Sequence, residues 1–169
     1  TENDLGTVRL NDTLINGHDS ATAVEIGDGA ATSPTNAITI TDLEIVNNNV
    51  TTDTRNTGIL VNEIDNDDLA VTNIVANNLE FNGVSNGILF QPSGGGNNNI
   101  LGRQGQLKVS NVTDDDIGGG TAHIKIDDAN ARDAVVDNVT ATAVEDVGIV
   151  DIQRTDATGG AKVTNINVS

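Results

Sequence analysis

A chain of 169 residues with two aromatics (Phe81 and Phe90), no Cys, Met, Trp or Tyr, two prolines and a formal charge of −17 excludes several classes of protein. It has no cysteines for a disulfide framework, no basic stripe for nucleic acid with eight Lys and Arg against 25 acids, and no apolar run long enough to span a bilayer as a helix. A core without aromatic bulk suits a narrow stack of aliphatic side chains better than a wide globular interior.

In chain order, Thr7-Val8-Arg9-Leu10 alternates polar with apolar, the period of a half-buried strand. Asn11-Asp12-Thr13-Leu14-Ile15 and a Gly17-containing turn lead to Ala23-Val24-Glu25-Ile26, which Gly27-Asp28-Gly29 terminates. The next passage is more explicit. Ile38 and Ile40 are apolar before Asp42, and Leu43 and Ile45 after it, so the inward face changes phase by one residue. In a continuous strand that shift would turn the apolar set outward. A bend at position 42 resolves it, because Asn and Asp tolerate the left-handed backbone a bend requires.

The same phrase recurs: Val71-Thr72-Asn73-Ile74, Val109-Ser110-Asn111-Val112, Val136-Asp137-Asn138-Val139 and Val163-Thr164-Asn165-Ile166. Bends are therefore expected at 12, 42, 73, 111, 138 and 165, spaced 30, 31, 38, 27 and 27 residues. A second phrase follows each bend: Gly58-Ile59-Leu60-Val61, Gly87-Ile88-Leu89-Phe90, His123-Ile124-Lys125-Ile126 and Gly148-Ile149-Val150-Asp151-Ile152. Repeats of this length stack, each burying its apolar face against its neighbours. The period within each is 2 rather than 3.6, and Asn, Thr, Val and Gly are poor helix formers. The expected fold is an all-β parallel β-solenoid, one domain over residues 1–169, with three strands in each of about five coils.

The order Gly-Ile-x-Val, loop, Val-x-Asn-Val resembles the right-handed parallel β-helix superfamily typified by pectate lyases. The resemblance implies a right-handed coil with an internal ladder of side chains at one bend, here Asp42, Asn73, Asn111, Asn138 and Asn165. Their role in it is structural, since stacked amides satisfy one another and the turn backbone.

The resemblance also invites a polysaccharide lyase or hydrolase, which would use calcium-binding acids with a basic residue, or paired carboxylates. The basic side chains share no row, and both phenylalanines sit in apolar strand patterns, so no catalytic residue and no enzyme activity is expected. The segment after each Gly-Ile strand is acidic. Asp65, Asp67, Asp68, Asp127 and Asp128 are candidate calcium ligands by their hard oxygens, with a solvated acidic edge as the alternative, and Asp114-Asp115-Asp116 forms another acidic run. No other cofactor is expected. His18 and His123 are read as plain turn or surface residues. Gln91 to Gln106, rich in Gly and Asn, is read as a projecting loop.

These features lead to a non-enzymatic extracellular structural protein, a building block of a surface filament, layer or adhesin. Its partner is expected to be a second copy stacked head-to-tail, or adjoining coils of a longer solenoid, because no capping segment is written at either end. A glycan-binding or carbohydrate-active module and a segment of a viral fibre are the alternatives. Thr1 without a preceding Met fits either a processed protein or an excerpt of a longer one.

Overall fold

The computed structural model describes residues 3–18, 22–27, 38–52, 57–62, 69–91, 106–115, 122–126, 133–142, 148–152 and 160–169. Every regular element within them is a β-strand: β1 (Asn3–Asp4), β2 (Thr7–Asn11), β3 (Leu14–His18), β4 (Thr22–Gly27), β5 (Ile38–Thr52), β6 (Thr57–Asn62), β7 (Leu69–Asn82), β8 (Asn86–Gln91), β9 (Gln106–Asp115), β10 (Ala122–Ile126), β11 (Asp133–Thr142), β12 (Gly148–Ile152) and β13 (Gly160–Val168). They form two sheets. The larger runs β1-β5-β7-β9-β11-β13, with β2 and β3 also on β5, and the smaller runs β12-β10-β8-β6-β4. From β3 onward successive strands belong to alternate sheets, and each pairs in parallel with its counterpart one repeat on. An all-β chain of stacked parallel strands, consistent with a β-solenoid, is thus what the period-2 repeats produce.

Because register is kept from rung to rung, like side chains fall into columns. Leu43, Ile74, Leu107 and Ala134 make one, and Ile45, Ala76, Val109 and Val136 the next. Facing them from the smaller sheet, Ile59, Ile88 and Ile124 align, as do Val61, Phe90 and Ile126. All of these are buried, and they form one core cluster together with Phe81. Both phenylalanines are therefore in the core, as their strand patterns require. Full burial of each such aliphatic side chain contributes about 1.5–3 kcal/mol, which explains how a chain with so few aromatics holds together.

The bends differ from the sequence expectation in place and in direction. Positive φ outside glycine occurs at Asp12, Asn47, Asn78, Asn111, Asn138 and Asn165, spaced 35, 31, 33, 27 and 27 residues. Asp42 and Asn73 are not among them. They face each other in register five residues before the left-handed positions Asn47 and Asn78. The phase change at Asp42 is nonetheless real, since Ile40 and Leu43 are both buried. At this point the Gly6 carbonyl accepts from both Thr41 N (2.9 Å) and Asp42 N (3.2 Å), and the pairing offset is the same on either side, Asp4 with Thr39 and Thr7 with Asp42, so the phase changes with no residue inserted. The phase changes here without positive φ at Asp42 or Asn73, so sequence alternation alone does not place the left-handed residue. Each long strand thus carries its bend inside it, and the expected first and second strands of a repeat run on as one bent strand.

Candidate functional site

The polar side chains of the larger sheet are organised first by the bend. A residue at positive φ presents its side chain beside that of the residue one rung away, at strand spacing. Asn47 Nδ2 donates to Asp12 Oδ1 (3.0 Å) and Asn78 Nδ2 to Asn47 Oδ1 (2.8 Å). Asn111 Nδ2 donates to Asn77 Oδ1 (2.7 Å), and Asn138 Nδ2 to Asn111 Oδ1 (2.7 Å). At the last rung Asn165 Nδ2 turns to Asp137 Oδ1 (2.7 Å), which also accepts from Thr164 Oγ1 (2.6 Å). These donors, the Thr164 hydroxyl first, hold the Asp137 carboxyl below its ordinary range.

A ladder is therefore visible in part, but it stands at the surface. Asn111, Asn138 and Asn165 are exposed, where an inward ladder was expected. The inward positions flanking the bend belong instead to Val109 and Val112, and to Val136 and Val139, all buried. Asn73 and Asp42 make a separate rung contact, with Asn73 Nδ2 donating to Asp42 Oδ1 at 3.0 Å.

One amide does enter the core. Asn48 is buried in the column otherwise held by Leu79, Val112 and Val139. Its Nδ2 donates to the Leu10 carbonyl (2.8 Å) and its Oδ1 accepts from Thr13 N (3.0 Å), so it satisfies the backbone on both sides of the Asp12 bend.

The constellation with chemical potential lies deeper. Asp114 takes the inward position of the column made by Val50, Phe81 and Ala141. His123 comes from the opposite sheet, above Gly87 and beside the edge of Phe81, with ring centroids 5.8 Å apart and planes at 81°. Its Nδ1 lies 2.6 Å from Asp114 Oδ2, and both side chains are 0% exposed. Among the described residues, Asp114 Oδ1 and His123 Nε2 have no hydrogen-bond partner. Burial pushes the Asp114 carboxyl above its ordinary value; the hydrogen bond and charge of His123 pull it partly back.

Glycine makes the room. A Cβ on Gly87 would run into the imidazole, and one on Gly58 would meet the Phe81 ring and the Gly87 carbonyl at 2.7 Å. The surface or turn reading of His123 is thus corrected: the imidazole closes the core. Two signals in the sequence pointed there. Asp114 follows Val112 at the inward phase, as Ala141 follows Val139, and His123 stands where the two preceding repeats have Gly58 and Gly87.

Asp65, Asp67, Asp68, Asp127 and Asp128 lie outside the described residues, as does the loop between Gln91 and Gln106. The His18 backbone pairs with Thr52 through β3. Among the described residues no three His, Cys, Asp or Glu side chains converge as metal ligands. Compared with protein-family models, curated proteins and solved structures, the chain matches none.

Proposed function

We propose that this chain is a non-enzymatic, extracellular structural element, a length of right-handed parallel β-helix that serves as a rod in a surface filament, layer or adhesin. The observation that carries the reading is the outer edge of the larger sheet. β13 lies in register on β11, and its Val163, Ile166 and Val168 continue the columns of Val136, Val139 and Ala141. These three side chains are exposed, at 45%, 37% and 52%. Such an edge offers unpaired backbone groups and an apolar row to one further parallel strand. The chemistry it asks for is the same whether that strand comes from the same polypeptide or from a second copy stacked head-to-tail, and the proposal is the second copy. Such a contact is heterologous and propagates instead of closing, while the acidic surface holds neighbouring rods apart.

Support comes also from the placement of the polar groups. The Asp114–His123 pair is sealed from solvent, and the amides at the bends bond from rung to rung, which serves stacking and not turnover. The test is negative-stain microscopy and sedimentation of the purified chain beside Val163→Asp. Filaments one solenoid wide are expected, lost in the variant with its circular dichroism unchanged. A chain that stays monomeric at high concentration would remove the head-to-tail reading, and cleavage of uronic-acid polymers would replace it with an enzymatic one.

A further inference from the structure

Among the described residues, the other inward positions of the two columns that hold Asp114 and His123 are apolar or glycine, so within those columns no other side chain balances the two titratable groups. β7 contributes Phe81, β8 contributes Gly87, β11 contributes Ala141, and β12 contributes Ile149, the residue between the paired Gly148 and Val150. β8 has no charged residue. Glu80, Lys108 and Asp115 are exposed on the outward phase of β7 and β9; Lys125 and Asp151 pair in register on the outward phase of β10 and β12, and Asp137 belongs to the surface ladder. The pair must therefore be neutral by itself. With one proton it is neutral, whichever partner carries it. With none it leaves a lone buried carboxylate, which is strongly disfavoured.

The pair also bridges the fold. Asp114 belongs to the larger sheet and His123 to the smaller, so their 2.6 Å contact ties the two sheets across the core. We propose that the Asp114–His123 pair is a proton-operated latch, closing the two sheets on each other while one proton is held between the side chains and releasing them when that proton is lost on the alkaline side.

The sign follows from counting protons. An unfolded aspartate and histidine together hold one proton between about pH 4 and 6.5, and none above. Loss of the last proton from the closed pair would leave a lone buried carboxylate, so the fold resists it; folding therefore takes up a proton where the unfolded chain holds none, and stability falls as the pH rises. The carboxyl raised by burial acts in the same direction: it favours the fold in its protonated form, and that contribution is lost as the pH rises through its folded value.

The experiment is urea unfolding of the full chain at half-unit steps from pH 6 to 9, followed by circular dichroism. The wild-type folding constant should fall by up to about tenfold per pH unit above pH 7, the linkage of one proton. Asp114→Asn, which cannot ionise, should give a flat profile over the same range. Because that variant leaves His123 beside a neutral amide and could fail to fold, the double variant Asp114→Val with His123→Leu, which continues the aliphatic columns, is measured beside it and should also be flat. A wild-type profile as flat as that of the double variant, or a double variant that keeps the wild-type slope, overturns the latch.

Discussion

Asn138 donates its amide to Asn111 Oδ1 at 2.7 Å, and both residues hold a left-handed backbone, with φ of 54° and 53°, on the exposed side of a bend. Two requirements meet in one residue type. Asn tolerates positive φ better than other side chains with a Cβ, and its amide carries a donor and an acceptor that repeat along a stack. Conformation and hydrogen bonding are separable by substitution. Asn138→Gly keeps the first and loses the second, and its cost should be a few tenths of a kcal/mol, as for an exposed hydrogen bond. Asn138→Ala loses both and should cost about 1–2 kcal/mol. Chemical denaturation reads the order; equal cost for both variants would show that backbone strain plays no part.

Asn73 is the control. It bonds Asp42 across the rungs as the bend residues do, but its φ is not positive. Asn73→Ala should therefore cost less than Asn138→Ala, about 0.5 kcal/mol. The same denaturation series checks it.

Gly87 is held small by the imidazole above it. Gly87→Ala should destabilise by about 1–3 kcal/mol, the usual cost of overpacking. Most of that cost should vanish on a His123→Ala background, where the ring is absent. A double-mutant cycle measures the coupling, and additive effects would place the strain elsewhere.

Asn48→Leu would extend the aliphatic column of Leu79 but leave Leu10 O and Thr13 N without their buried partner. The loss should win by about 1–3 kcal/mol. Amide exchange should quicken at Thr13 and Asn49, whose N–H groups belong to that bend, before it quickens in β9 or β11.

Asp137 predicts a response to acid. Thr164 and Asn165 donate to its ionised form and depress its pKa in the folded state. Its contribution is therefore present above the ordinary value near 3.8 and lost as the pH falls through the lower folded value. The group is exposed, so the effect is small and local: amide protection in β13 should weaken as the pH falls below about 4, and Asp137→Asn should remove that dependence.

Period-2 alternation broken by Asn or Asp once per repeat was enough, from sequence alone, to determine an all-β stack of parallel strands, the inward set Val109, Val112, Val136 and Val139, and the burial of Phe81 and Phe90. Those features follow from local pattern, because a strand's faces are set by its own alternation. What lies at a fixed distance along the chain was decided only by the tertiary structure. Asp42 and Asn73 imitate the bend phrase, yet the left-handed positions are Asn47 and Asn78, five residues further on. The bend side chains point to solvent because the flanking valines fill the narrow interior. Likewise the meeting of Asp114 with His123 depends on which rung faces which across the core, and eight intervening residues of chain carry no information about that distance. Register between rungs, set by the summed packing of whole columns, is what brings the two together.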